Sequence, residues 1–349
     1  MSERIRCGVL GATGMVGQEF VRFLQGHPWF DLTWLGASDR SAGKRYAEAT
    51  SWRLGGAMPS YVRDIVVSES KPDETAPKLM FSSMDASVAT EIERAFAAAG
   101  HVIVSNSRNH RMEPDVPLLV PEVNADHIGI LGEQNVRGWS GRIVTNPNCS
   151  TVVLVMALGA LKPWGIRRVI VSTMQAISGA GYPGVASMDI NANVIPFIGG
   201  EEEKMERETQ KILGDFSTGL LTPLAAKVSA SCNRVPVVDG HTLTVSIEFE
   251  RKPTEAEILG AWRGWRGAPQ KLGLPSAPPC PVIYMEESDR PQPRRDAERE
   301  NGMAVFTGRL RKCPVLDYKF VALGHNTVRG AAGVAVLNAE LLHAEGLLT

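Results

Sequence analysis

Ile5-Arg6-Cys7-Gly8-Val9-Leu10-Gly11-Ala12-Thr13-Gly14-Met15-Val16-Gly17 is the stretch that decides the fold. A β-rich run, Ile5–Leu10, meets a turn with glycine at positions 11, 14 and 17, and the helix-spaced Phe20, Phe23 and Leu24 follow. Glycines let backbone approach a pyrophosphate, and the free N–H groups of a helix start hold its negative charge. A glycine string alone also suits a tight turn that serves only helix–sheet packing, so its weight comes from its place in the chain. Gly11, Thr13, Gly14, Met15 and Val16 form the candidate phosphate cradle.

Outward from this loop, short β-rich runs recur at Leu32–Ala37, Ile65–Val67, Leu79–Ser82 and Val102–Ser105, with helix-period residues such as Ala89, Ile92, Ala95 and Phe96 between them. Parallel strands need crossover connections, so repeated βα units predict an α/β fold, a Rossmann-type doubly wound parallel sheet with helices on both faces. An NAD site usually sets a carboxylate at the end of the second strand, against the ribose hydroxyls. Here that stretch is Gly36-Ala37-Ser38-Asp39-Arg40-Ser41, where Ser38, Arg40 and Ser41 suit a 2′-phosphate and Asp39 argues for NAD. NADP is the expected cofactor, and Ser82, which closes the Leu79–Ser82 run, joins the cofactor-side candidates.

After Ile143–Thr145 the βα alternation stops, and one long apolar helix precedes a set of strands. Val169–Met174 reads as a strand; Cys232–Val238 and His241–Phe249 read as a hairpin about Asp239-Gly240, a dipeptide that tolerates two positive φ angles. Arg251–Arg266 reads as a helix, Pro281–Met285 as a strand and the polar, Pro-bearing Arg290–Asn301 as an ordered surface or interface loop. Arg329–Leu347 reads as a closing helix. The expected domains are residues 1–148 plus 330–349, which bind nucleotide, and residues 149–329, an α+β domain.

The 349 residues carry 37 basic and 38 acidic side chains, a net charge of -1, and 44% are hydrophobic. That composition excludes a disordered or fibrous chain, and without a basic block there is no footprint for nucleic acid. Cys7, Cys149, Cys232, Cys280 and Cys313 are odd in number and show neither a CxxC pair nor zinc spacing. No metal site and a reducing compartment are expected. Met1-Ser2-Glu3-Arg4 enters the first strand without a targeting pattern, and apolar runs such as Val152–Leu158 are too short to span a membrane, so the expected location is cytoplasmic.

Asn146-Pro147-Asn148-Cys149-Ser150-Thr151 leads into the apolar helix. The positive end of a helix favours a thiolate, which makes Cys149 a candidate nucleophile; the alternative is a small helix-start residue capped by Asn148. A thiolate beside a nicotinamide suggests attack on a carbonyl, hydride transfer and a thioester resolved by phosphate, water or coenzyme A. The Asp239-Gly240 hairpin puts Arg234 and His241 on one face, a cation for a carboxylate beside an imidazole that titrates near neutrality.

The chain resembles the aspartate-semialdehyde dehydrogenase family, in its archaeal and fungal-like branch. The likeness runs through Gly11–Gly17, Ser105–Asn124, Asn146–Thr151, Gln175–Gly184, Gly200–Leu213, Cys232–His241, Arg290–Met303 and Asn326–Ala332. It implies that Cys149 is the nucleophile, with Asn148 beside it in the catalytic set, that Arg234 grips the substrate carboxylate and that His241 is the acid/base. It further implies that Gln175 orients the acyl group, that Arg111 and Lys204 bind phosphate, that Glu201 or Glu202 meets the substrate amine, and that Asn326 lies near the nicotinamide. The implied reaction is NADPH-dependent reductive dephosphorylation of L-aspartyl-4-phosphate to L-aspartate 4-semialdehyde, toward lysine, threonine and methionine, in a homodimer or homotetramer whose second domain serves catalysis and dimerisation. A malonyl-coenzyme A reductase uses the same cysteine, arginine and histidine and is the enzymatic alternative; N-acetyl-glutamyl-phosphate reductase is a weaker one. A non-catalytic NADPH-sensing regulator on the same fold is the alternative from another class.

Overall fold

The computed structural model describes residues 4–348; Met1–Glu3, part of the stretch read as lacking a targeting pattern, and Thr349 lie outside the described residues. The chain divides into two compact units, one of Met1–Leu119, Asp126–Asn146 and Ala335–Thr349, the other of Val120–Ala125 and Pro147–Val334. Val120–Ala125 thus joins the second unit although it lies within residues 1–148.

The first unit is built on a six-stranded sheet of β1 (Ile5–Leu10), β2 (Phe30–Ala37), β3 (Ser68–Glu69), β4 (Leu79–Ser82), β5 (Val102–Ser105) and β6 (Arg142–Thr145). Every pairing is parallel, and the order is β3-β2-β1-β4-β5-β6. β4 and β5 are buried at every position, which is why they read as unbroken apolar runs instead of alternating ones. Leu10, Trp34, Met80, Phe96, Ile103 and Ile143 pack one core layer. The order reverses between β1 and β4, and the crevice beyond the carboxyl ends of such strands is where this architecture takes a ligand.

The strand expected at Ile65–Val67 is displaced to Ser68–Glu69, because the backbone before it is already used: Tyr46 N–H donates to Ile65 O, and Lys44 and Gly43 exchange bonds with Val67. The closing helix, Gly333–Ala344, is anchored within this unit by His27, whose Nε2 lies 2.7 Å from Glu340 Oε1. It starts later than Arg329; Val328–Ala332 form a wide turn in which Gly330 N–H reaches back to His325 O.

The second unit carries β7 (Ile166–Gln175), a small pair β8 (Asp215–Ser217) and β9 (Leu220–Thr222), β10 (Lys227–Arg234), β11 (His241–Phe249), β12 (Val282–Met285), β13 (Val305–Lys312) and β14 (Tyr318–Gly324). Its main sheet has the order β10-β7-β11-β14-β13-β12. The expected hairpin between residues 232–238 and 241–249 does not form: β7 lies between β10 and β11, parallel to the first and antiparallel to the second. The pairing edges of both strands are satisfied by Val169–Gln175, so Asp239-Gly240 turns the chain across an intervening strand.

Helix Cys149–Gly159 is buried from Ser150 to Leu158, as an all-round apolar helix must be, and Trp262 Nε1 donates to its Ala157 O at 2.8 Å. The loop 290–301 is ordered by Asp296, fully buried, which accepts from Arg290 Nε and Arg299 Nη1 and from Gln292 N–H. Among the described residues no helix is long and apolar enough to cross a membrane.

Candidate active site

Cys149 opens its helix. Asn148 holds the N-cap with extended backbone (φ -54°, ψ 143°), and its Oδ1 accepts from the N–H groups of Ser150 at 3.0 Å and Thr151 at 3.3 Å. The cap is itself held: Asn148 Nδ2 donates to Glu201 Oε2 and its N–H donates to Glu208 Oε2, both at 2.7 Å. These bonds fix the helix start at Cys149, a half-buried residue.

His241 Nε2 lies 3.1 Å from Cys149 Sγ. The ring reaches it from the first residue of β11, while Arg234 ends β10, and Gln175 of β7 is paired with Arg234 in register. Arg234 and His241 therefore meet by flanking a shared strand, not by facing each other across a hairpin. Arg234 Nη1 donates to Ala176 O at 2.7 Å, and Ala176 N–H donates to His241 Nδ1 at 3.1 Å. Burial first, then the nearby Arg234 cation and His325, pushes the His241 imidazolium down to about 3. Burial also lowers Arg234 from its usual range.

Glu201 and Glu202 separate cleanly. Glu201 is buried, with Oε2 receiving Asn148 Nδ2 at 2.7 Å and Gln175 Nε2 at 3.4 Å, and Oε1 receiving Lys204 Nζ at 2.8 Å. Glu202 turns to the sheet, where it accepts from Cys232 N–H. Cys149, His241, Arg234, Gln175, Asn148, Glu201 and Lys204 thus form one connected neighbourhood, and Glu202 stands outside it. Asn326 belongs to the same unit: it accepts from Gly240 N–H at 2.8 Å, steadying the turn before His241, and donates to Ser178 Oγ at 2.8 Å.

Behind the thiol, Gly330 packs so closely that a Cβ there would lie 2.6 Å from Cys149 Cβ. The preceding Arg329 is fully buried and bidentate on Glu122, at 2.9 and 2.5 Å. This pair ties the wide turn to helix Pro121–Asn124 and so sets the wall behind Cys149.

In the first unit Gly11 has φ +75°, and a Cβ on Gly17 would sit 2.3 Å from Gly11 O, so both glycines are required by the turn itself. Gly14 is different. A Cβ there meets nothing nearer than 3.5 Å, helix Met15–Phe23 has no side-chain cap, and no acid occupies its first turn. The helix start beside Thr13, Met15 and Val16 is open to an anion. Ser38, Asp39 and Arg40 are exposed after β2, and Ser41 N–H closes the turn onto Ser38 O. Ser82 Oγ donates to the buried Glu93 at 2.6 Å, so its hydroxyl braces the strand ends together with Ser105. Arg111 is buried and donates to Asn106 O at 2.7 Å.

Sequence reasoning missed Glu208, Ser178, the Glu122–Arg329 pair and the Ala176 N–H. Glu208 was findable: it lies seven residues from Glu201 on helix Glu201–Ile212, hence on the same face. Among the other thiols, burial pushes Cys7 up and raises Cys232 to about 11. Cys313, which burial would raise, is lowered overall by N–H groups of Leu316 and Val315.

Two family models match: semialdehyde dehydrogenase, NAD binding domain, over residues 6–130, and semialdehyde dehydrogenase, dimerisation domain, over residues 158–329. An aspartate-semialdehyde dehydrogenase of Archaeoglobus fulgidus is 48% identical over 346 residues, 99% of this chain and 100% of its own. One of Saccharomyces cerevisiae is 46% identical over 98% of each chain. The crystal structure of the Candida albicans aspartate-semialdehyde dehydrogenase with NADP superimposes with a TM-score of 0.92 at 43% identity, over 99% of this chain and 100% of that one.

Proposed function

This chain belongs to the aspartate-semialdehyde dehydrogenase family, and from that premise we propose which of its residues carry the reaction. It is an NADP-dependent oxidoreductase of amino-acid biosynthesis that interconverts L-aspartyl-4-phosphate and L-aspartate 4-semialdehyde. The observation that carries the assignment of roles is the Cys149 Sγ to His241 Nε2 distance of 3.1 Å at a helix start, with Arg234 bonded to the carbonyl and His241 to the N–H of the one residue Ala176.

The Cys149 thiolate attacks the acyl phosphate carbon, held by Arg234 at the α-carboxylate and by Glu201 at the amine. Glu202 is spent on β10 and leaves that role to Glu201. Gln175 and Asn148, both joined to Glu201, hold the acyl group in line. Arg111 and Lys204 take the departing phosphate. NADPH, when bound, supplies the hydride that reduces the thioester. The open helix start at Gly11–Val16 fits its pyrophosphate, and Ser38, Arg40 and Ser41 fit the 2′-phosphate, with Asp39 turned to solvent. Ser82 shapes the strand end beside this site, and Asn326 holds the turn that delivers His241.

We further infer a homodimer formed through the second unit, where Ile170, Val194 and Phe197 are 49%, 53% and 70% exposed, and a cytosolic location for an enzyme with five free thiols. The direct test supplies L-aspartate semialdehyde, phosphate and NADP and follows NADPH, with malonyl-coenzyme A plus NADPH as the competing assay. Turnover of the semialdehyde alone is expected. Turnover of malonyl-coenzyme A alone would overturn the substrate assignment, since a malonyl group has no amine for Glu201.

A further inference from the structure

We propose that Tyr46 and Gln18 are positioning residues for the cofactor: they hold the carbonyls of Ala12 and Thr13 on the protein side of the glycine loop, which turns the N–H groups of that loop toward the pyrophosphate. This rests on the reading of Gly11–Val16 as the pyrophosphate site, and it adds to that site two side chains from outside the loop.

A loop that takes an anion must send its N–H groups outward, so its carbonyls need donors on the other side. Glycine gives such a turn its freedom but holds nothing in place, since it has no side chain. Each carbonyl here has a donor. Gly11 O accepts from Gly14 N–H at 3.1 Å, and Gly14 O accepts from Gln18 N–H at 2.9 Å. Between them, Ala12 O accepts from the Tyr46 hydroxyl at 2.8 Å and Thr13 O from Gln18 Nε2 at 3.0 Å. The two middle carbonyls therefore depend on side chains.

A trans peptide points its N–H opposite to its C=O, and the Ala12–Thr13 bond is trans. Tyr46 is fully buried, so Ala12 O is drawn inward and the N–H of Thr13 faces the other way, where Thr13 is half-buried and Gly14 exposed. That N–H has no acceptor among the described residues. Without the phenol, Ala12 O would be a buried carbonyl lacking a donor, and a flip of the peptide toward water would set that carbonyl against the anion.

Both clamps are themselves fixed. Tyr46 opens the short helix Tyr46–Ala49, and its N–H donates to Ile65 O at 2.9 Å. Burial pushes its phenol up, so the hydroxyl remains a donor well past neutrality. Gln18 is buried with its whole amide engaged: Nε2 also donates to Ser51 O at 3.1 Å, and Oε1 accepts from Arg53 N–H at 2.7 Å. Residues 46–53 thus buttress the loop from behind. None of these bonds reaches Ser38, Arg40 or Ser41, so the clamps act on the pyrophosphate end of the cofactor and not on its 2′-phosphate end.

Calorimetry on the full chain with NADP and with 2′-AMP, which carries the 2′-phosphate but no pyrophosphate, separates aiming from general support. Tyr46→Phe removes only the hydroxyl. Its Kd for NADP is expected to rise about two- to tenfold, as for loss of one hydrogen bond, while its Kd for 2′-AMP stays unchanged. Gln18→Met, which removes the donor to Thr13 O, should show the same split; if it does not fold, Tyr46→Phe carries the test alone. Equal weakening of both ligands would make these side chains general supports and overturn the proposal. Gly14→Asp, measured in the same way, keeps the two readings apart. If it weakens NADP while Tyr46→Phe and Gln18→Met do not, the glycines aim the loop by themselves and the positioning role falls. If Gly14→Asp also leaves NADP affinity unchanged, the assignment of this loop to the pyrophosphate falls, and the positioning role with it.

Discussion

Two helix starts in this chain apply the same electrostatics to different ends. Helix Met15–Phe23 begins at Gly14 with no side-chain cap and no acid in its first turn, whereas helix Cys149–Gly159 begins at Asn148, whose side chain receives two of the first N–H groups. The first start is left bare, so its field is available to a diffusible anion. The second is closed over by its own cap, and its field acts on a sulfur fixed in the chain. A helix N-terminus becomes a binding site or a nucleophile-activating site according to which residue stands at the cap.

The sharpest way to break this contrast is Cys149→Ala. Turnover is expected to fall on the order of 10⁴-fold or more, as for loss of a covalent nucleophile, while NADPH titration by fluorescence stays unchanged. Appreciable residual turnover would return Cys149 to a structural role.

Next is the support behind the second helix start. Glu122→Gln leaves Arg329 buried without its counter-charge, a change that costs about 3–5 kcal/mol, readable by urea unfolding. Pairing it with Arg329→Met should recover much of that stability. A single variant as stable as wild type would mean that the pair does not hold the Gly330 wall.

Arg234→Leu comes third, removing a charge-assisted contact worth about 1.5–3 kcal/mol. We expect KM to rise and kcat to fall together, since the same guanidinium holds the substrate and the Ala176 peptide; unchanged steady-state kinetics would make Arg234 an ordinary strand residue. The smallest effect is expected from Gly14→Asp, which installs at the first helix the cap that the second already has. Stability should rise by a few tenths of a kcal/mol while NADPH affinity drops, by calorimetry; a variant that binds NADPH as well as wild type would mean that this helix start does not face the pyrophosphate.

The two regions also differ in how far the sequence reveals them. The glycine loop and its parallel sheet are local: strand, turn and helix follow one another from Ile5 to Phe23, and the βα grammar supplies the neighbours. Cys149 and Asn148 are legible for the same reason. His241 and Arg234 are brought together by β7 inserting between β10 and β11, a non-local pairing for which the Asp239-Gly240 turn gave a false cue. The resemblance named both residues even though the geometry read for them was wrong. Glu201 and Glu202 differ only in helix phase against a buried cap, and Ala176 acts through its backbone, which no side-chain pattern records.

The central claim is that Cys149 carries the acyl group as a thioester during NADP-dependent oxidation of L-aspartate semialdehyde. Mixing the enzyme with semialdehyde and NADP in the absence of phosphate isolates that step, because the acyl-enzyme then has no phosphate to release it. We expect a burst of NADPH equal to the number of active sites, with the acyl mass found on the peptide that contains Cys149. No burst from the wild-type enzyme, or an undiminished burst from Cys149→Ala, would contradict it.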